Sequence, residues 1–222
     1  MKNQAEKNKK KQTVRMMSYF IDATVTIIEE EGLDKVTIKK IGDLAGYNSA
    51  TIYNYFEDLS HLIFFASISF VKKYTDALPE YLKKARTPLE RYLLIWECFC
   101  KYSFESPQIY YAVFSANLGT HPINIAKHYE YFSIDLLKLP DDLKPMLLES
   151  NLSKSALIAF NQCIKEGYFE QTNAKQITKS HYLIWQGMLT LLINNKSAYT
   201  IDEAIKVTVN LIRNTMPLKK VV

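Results

Sequence analysis

Between Met17 and Ile28 the apolar positions fall at Met17, Phe20, Ile21, Val25 and Ile28, with Thr24 completing the stripe. Spacings of three and four place these side chains on one face of a helix, and Gly32 supplies its C-terminal stop. The pattern then shortens. Ile38, Ile41, Leu44 and Ala45 give a brief second helix one apolar face; Thr37 can accept amide hydrogen bonds as its N-cap, and Gly46 provides a tight turn. Asn48 or Ser49 caps a third helix, in which Ile52 and Phe56 face inward while Ser49, Thr51 and Asn54 face outward. Two short helices joined at a glycine read as a helix-turn-helix. Polar residues on the outer face of the third helix suit a DNA major groove, where such side chains read base edges.

Beyond residue 60 the helical periodicity continues in longer segments. Breaks are predicted near Pro79, at Thr87-Pro88, at Ser106-Pro107, around Gly119 to Pro122, between Pro140 and Pro145, at Gly167 and from Asn194 to Thr200. Pro88 fits a first helical turn and Gly167 a helix end. The segment from Pro88 to Glu105 is apolar on nearly every face, with Leu89, Leu93, Trp96 and Cys100 in one stripe and Tyr92, Ile95 and Phe99 in another. A helix of that kind is central and buried; its Glu97 has Lys101 four residues on as an ion-pair partner. Tyr110, Tyr111, Phe114, Tyr129, Tyr131 and Phe132 extend the aromatic content. Such rings fill a core, or, where tyrosine hydroxyls need partners, line a partly polar cavity.

Composition narrows the fold to one class. Only 6 Gly and 7 Pro in 222 residues, 48% apolar composition and no alternating strand pair indicate an all-α chain with a real core. The longest uncharged apolar runs, Leu62 to Val71 and Tyr182 to Ile193, fall short of the roughly 18 to 20 residues that span a bilayer. The charged first 15 residues lack the hydrophobic centre of a secretion signal, so a cytoplasmic protein is expected.

Charge changes the picture more than its sum of +5 does. Residues 1–15 carry six Lys or Arg against Glu6, whereas residues 16–62 hold Lys35, Lys39 and Lys40 against eight acids, a net of −5. The helix-turn-helix is therefore not a uniformly basic patch, and a DNA reading rests on where its few cations and polar groups project. Cys98, Cys100 and Cys163 have neither a disulfide nor a zinc spacing and read as small buried hydrophobes. His61, His121, His128 and His181 are scattered. With no triad, phosphate loop or paired-carboxylate signature, no enzymatic role, metal or cofactor is expected.

The run TIKKIGDLAGYNSATIYNYFEDLSHL, preceded by a helix ending in EEEGL, resembles the DNA-binding domain of the TetR family of bacterial transcriptional regulators. The features that carry the resemblance are Thr37, the turn Ala45-Gly46-Tyr47, and Thr51-Ile52-Tyr53 followed by Tyr55-Phe56. It implies that Lys39 reaches DNA from the second helix, that Ser49, Ala50, Thr51, Tyr53 and Asn54 line the groove, and that Thr37 and Tyr55 hold phosphates. Asn48, at the entry to the third helix, belongs with this DNA-facing set. One position departs from the family pattern: Leu59 stands where a lysine usually meets phosphate.

The same resemblance implies an effector cavity in the second domain, for which Trp96, Phe99, Tyr102, Tyr110, Tyr111, Phe114 and Tyr129 are the aromatic candidates. It also implies a two-fold dimer built from the last two helices, about 174 to 194 and 200 to 215. Trp185, Met188, Leu189, Leu192, Ala204, Ile205 and Leu211 are the expected interface, and Gly187 would let a second helix approach closely. The expected organisation is a flexible basic tail over 1–12, a helix-turn-helix domain over 13–60 and an effector-binding and dimerisation domain over 61–222. The expected function is a regulator, acting mainly as a repressor, released from a palindromic operator by a small apolar or aromatic effector. A helical enzyme or ligand carrier, or an effector-independent structural DNA-binding protein, are the alternatives.

Overall fold

The computed structural model describes residues 2–115, 140–149 and 151–216, with the backbone alone for Lys2, Asn3 and Ala5. Every regular element among them is helical: α1 (Lys2–Glu31), α2 (Ile38–Ala45), α3 (Ser49–Ile52), α4 (Leu59–Leu82), α5 (Pro88–Glu105), α6 (Pro107–Phe114), α7 (Lys144–Leu147), α8 (Leu152–Lys165), α9 (Gln171–Ile193) and α10 (Ile201–Asn214), with a 3-10 turn at Leu33–Lys35. The described residues divide into two compact units, one running up to Phe70 and taking in Ser115, the other formed by Val71–Phe114 with the described residues after 139.

In the first unit α1 packs on α2, and α2 on α3. Met17, Phe20, Ile21, Thr24, Ile28, Ile41, Ile52 and Phe56 of the sequence stripes are all buried, while Val25 is half-buried. Phe20 is the hub: its ring lies 5.5 Å from Tyr47, 6.0 Å from Tyr55 and 6.4 Å from Phe56. Two expectations fail here. Residues 2–12 are not a separate tail but the first three turns of α1; Lys, Gln and Glu are good helix formers, and neither Gly nor Pro interrupts the chain before Gly32. Leu44 is 54% exposed rather than inward, because α2 ends one residue later and only Ile41 and Gly42 of it are buried.

In the second unit α5 is the central helix that the sequence predicts, burying nine residues from Tyr92 to Phe104 and packing against α6, α8, α9 and α10. Thr87 caps it by accepting from the Glu90 amide at 3.2 Å, with Pro88 in the first turn. Gly167 closes α8 with φ of 80°. Pro79 breaks nothing: it sits inside α4, whose last residue is Leu82, so its missing N–H removes one bond close to an end where the ladder stops anyway. Glu97 and Lys101 form no ion pair; Glu97 is exposed and needs none, and the Lys101 ammonium lies 5.9 Å from the Tyr102 ring centroid. The expected break around Gly119 to Pro122 lies outside the described residues.

Candidate functional site

The helix-turn-helix is assembled by caps and one close approach. The Thr37 hydroxyl accepts from the Lys40 amide at 3.2 Å and starts α2. Gly46, in the left-handed region at φ 76°, ends it, and the Tyr47 amide donates back to the Gly42 carbonyl at 2.9 Å. Of the two candidate caps for α3 it is Asn48 whose side chain acts, accepting from the Ala50 amide at 2.9 Å. Gly42 was not legible as a site residue. A Cβ there would stand 2.8 Å from the Tyr47 carbonyl oxygen and 3.3 Å from the Ser49 amide nitrogen, so the absent side chain sets how closely α2 approaches the start of α3.

α3 is shorter than its sequence pattern implies. Its regular part ends at Ile52, and the chain tightens into turns in which the Asn54 amide donates to Thr51 at 3.2 Å and the Tyr55 amide to Ile52 at 3.0 Å. The run is β-branched and aromatic, poor material for a long helix, and Tyr55 and Phe56 are drawn to the Phe20 ring. Ile52 and Phe56 anchor this segment in the core, and the outer side is polar. Asn48, Ala50, Tyr53 and Asn54 are exposed, Tyr53 by 57%, while Ser49, Thr51 and Tyr55 are partly so. Thr37 and Lys39 are exposed on α2. The sequence-predicted DNA set thus falls on one short stretch, with Asn54 just past the helix rather than on it.

Its electrostatics are sparse. Lys40 is taken by an ion pair with Glu31, and Lys35 lies 3.3 Å from Asp34. Beyond α3, Asp58 accepts from the His61 amide at 2.7 Å and so caps α4, with Leu59 half-buried directly after it. Asp58 therefore has a local structural task, and Leu59 offers no cation to a phosphate.

The second unit holds a different kind of chemistry. Trp96, Phe99 and Tyr110 are buried together: Phe99 lies 6.0 Å from Trp96, 5.6 Å from Tyr110, 5.5 Å from Phe114 and 5.3 Å from Trp185. The Tyr110 hydroxyl is buried without a hydrogen-bond partner among the described residues, and burial pushes its pKa well above the usual phenol. Of the other effector candidates, Tyr102 is half-buried, Tyr111 is 41% exposed and Tyr129 lies outside the described residues, as do Tyr131 and Phe132.

A polar chain crosses this core that the scattered histidines did not reveal. The Nδ1 of fully buried His181 is 2.7 Å from the Tyr92 hydroxyl and its Nε2 is 2.8 Å from the Thr215 hydroxyl. Thr215 itself donates to the Ile212 carbonyl at 2.7 Å, so Nε2–H donates to Thr215 and Nδ1 accepts from Tyr92. Burial lowers the His181 pKa to about 4. A second buried link runs from Trp185 Nε1 to Ser103 Oγ at 2.9 Å. The cysteines are free and buried, with thiols pushed up by burial, Cys98 to about 12 and Cys163 to about 11. Among the described residues no three of His, Cys, Asp and Glu converge as a metal site would, and no helix is long and apolar enough to cross a membrane.

The expected dimer residues split in two. Trp185, Leu189 and Ala204 are at 0% exposure within a single chain, and Met188 is also buried, so these belong to the chain's own core. Leu192 and Ile205 are half-buried and Leu211 is 47% exposed. The outward stripe of α9 is instead Leu183, Gly187 and Leu191 at i, i+4 and i+8. Among the described residues, nothing outside its own stretch of helix lies within 4 Å of a Cβ built on Gly187. Counting apolar residues did not separate the two faces, because α9 is apolar on both.

With this geometry in place, residues 20–63 match the family model for bacterial regulatory proteins, tetR family. Over that stretch the chain is similar to the tetR family. Its fold is that of the TetR-family transcription regulators: it aligns over 92% of its length, and 96% of the other chain, with Thermus thermophilus FadR, a TetR-family transcriptional repressor in complex with lauroyl-CoA, at TM-score 0.62 and 10% identity. A TetR transcription regulator from Haloarcula marismortui gives TM-score 0.57 and 18% identity over 90% of this chain and 95% of that one. The fatty acid degradation regulator FadR from Bacillus halodurans gives 0.54 and 16% over 88% and 93%. No curated protein matches in sequence. These likenesses speak for architecture, an all-α chain with an N-terminal helix-turn-helix followed by a helical C-terminal part.

Proposed function

We propose that this chain is a ligand-responsive, sequence-specific transcriptional regulator that acts as a repressor and leaves a palindromic operator when a small apolar or aromatic effector binds. The observation that carries the reading is the polar edge from Asn48 to Asn54, exposed and mounted on buried Ile52 and Phe56, within a segment that matches the tetR family. Ser49, Ala50, Thr51, Tyr53 and Asn54 meet base edges, Asn54 pairing with adenine; Thr37, Lys39 and Tyr55 meet the sugar-phosphate backbone. The segment from about 13 to 60 acts as the DNA-binding domain and the rest as the effector and dimer domain.

The Leu183, Gly187 and Leu191 stripe, with Leu211 exposed on α10, supports a two-fold dimer in which α9 and α10 of two copies meet, and such a dimer reads two half-sites. The effector enters among the rings around Phe99, where the lone buried Tyr110 hydroxyl gives an apolar ligand one polar anchor. That the Thermus thermophilus repressor is bound to lauroyl-CoA supports a ligand with a large apolar part. Effector and DNA oppose one another to the extent that each prefers a different conformation. Selecting bound fragments from a random DNA pool tests the reading: a recovered palindrome supports it, and a pool with no enriched sequence overturns it.

A further inference from the structure

The first three turns of α1 carry chemistry that the helix-turn-helix lacks. Residues 16–62 sum to −5, and two of their three lysines, Lys35 and Lys40, are paired with Asp34 and Glu31. Yet phosphate neutralisation by cations supplies most non-specific affinity for DNA. The cations sit instead on a helix continuous with the recognition unit. Lys7, Lys9, Lys10, Lys11 and Arg15 are exposed on α1, and none of the lysines takes part in an ion pair among the described residues.

Their placement is directional. Lys7, Lys11, Arg15 and Tyr19 recur every four residues and form a stripe winding slowly round the helix. The Arg15 Nε donates to the Tyr19 hydroxyl at 3.1 Å, and the Tyr19 ring lies 6.0 Å from that of Tyr47, the residue just before the Asn48 cap of α3. The stripe therefore ends beside the start of the recognition element. At about 1.5 Å per residue the eleven residues from Lys2 to Gln12 reach about 16 Å, or some five base-pair steps at about 3.4 Å each. Glu6 is the one acid among the first fifteen residues, against six Lys or Arg, so the turns before the recognition unit are net basic and suited to a polyanion.

We infer that the N-terminal turns of α1 form a rigid basic arm that lies along the phosphate backbone flanking each half-site, through the Lys7 and Lys11 stripe. The inference rests on the DNA-binding reading above. It accounts for an operator-binding segment whose own charge is negative, and it assigns to the arm the phosphate contact that Leu59 cannot make.

The test is the salt dependence of binding to the operator recovered from the DNA pool. Replacing Lys7 and Lys11 together by Gln should lower the slope of log affinity against log salt by about two per half-site, at about 0.9 per phosphate contact, with base preference unchanged. Lys9→Gln, on the opposite side of the helix, should leave the slope nearly unaltered. Gln12→Pro, which breaks the helix outside the packed core, should lower it as the double variant does. Equal slopes for the native chain and the double variant would overturn the arm, and an unaltered slope for Gln12→Pro would overturn its rigidity. Failure of the native chain to bind any selected sequence would be a failure of the DNA-binding reading itself, visible before a variant is made.

Discussion

The two units bury their polar groups differently. In the first unit the side-chain hydrogen bonds of Thr37, Asn48 and Asp58 lie at the surface and start helices; each depends on residues two or three apart. In the second, Tyr92, His181 and Thr215 join residues 89 and 34 positions apart, and Trp185 reaches Ser103 across 82. Local bonds shape a surface that can be read by a partner. Long-range buried bonds fix how helices pack, and they are high-stakes because an unmatched buried polar group is costly. The contrast puts the residues proposed to read DNA on short, locally determined structure, and the long-range polar links in the larger core.

The sharpest way to break the comparison is a charge on each face of α9. Leu189→Glu puts a carboxylate into the chain's own core, and should cost at least about 3 kcal/mol and unfold the second unit, read as lost cooperative melting. Leu191→Glu should leave melting within about 1 kcal/mol of native while sedimentation shows monomers. A folded dimer with glutamate at 191 would sink the proposed interface.

Acid should act on the second unit first. The folded pKa of His181, about 4, lies below its ordinary value of 6.5, so its contribution is complete above pH 6.5 and is lost as pH falls from 6.5 through 4. At about 1.4 kcal/mol per pH unit the loss is on the order of 3 kcal/mol. Protonated Nδ1 would face the Tyr92 O–H as a second donor. Denaturant midpoints between pH 7.5 and 4 should fall, and His181→Phe, though less stable, should show less of this fall; identical profiles would argue against it.

On the exposed edge of the first unit substitutions should touch recognition rather than folding. Asn54→Ala is expected to lose roughly 1 to 3 kcal/mol of operator binding and relax preference at one base pair per half-site. Tyr55→Phe should weaken all sequences alike, and equal, sequence-independent losses from both would refute the division of roles. Gly42→Ala forces a methyl against backbone and should cost about 1 to 3 kcal/mol of stability, with operator affinity falling while the dimer persists. Smallest of all, Tyr110→Phe removes a hydroxyl with no partner among the described residues, so melting should move by less than about 1 kcal/mol. An effector that uses the hydroxyl should nonetheless bind the variant more weakly.

How much was legible follows from range. Stripes at three and four, Thr37 and the Gly46 turn announced the helix-turn-helix, because each is decided within a few residues. Asn48 over Ser49 as the cap needed coordinates, and so did Gly42, whose partner is the carbonyl of Tyr47 across a turn. The basic run was visible, but not that it continues α1, since nothing local marks where a charged helix former ceases to be a tail. On α9, periodicity gave two apolar faces and could not say which one a single chain covers; Trp185 and Leu189 went inward, and Leu183 and Leu191 outward. His181 looked like one of four scattered histidines because both its partners are distant in sequence.

The two tryptophans of the chain, Trp96 and Trp185, both pack against Phe99, and the helix-turn-helix has none. Indole fluorescence of the unlabelled protein therefore originates wholly in the second unit. A molecule that settles among these rings will quench or shift that emission directly, whereas DNA held at Asn48 to Asn54 alters it only if the change is transmitted to the core. One optical signal thus distinguishes occupancy from communication, with no dye attached and no residue replaced.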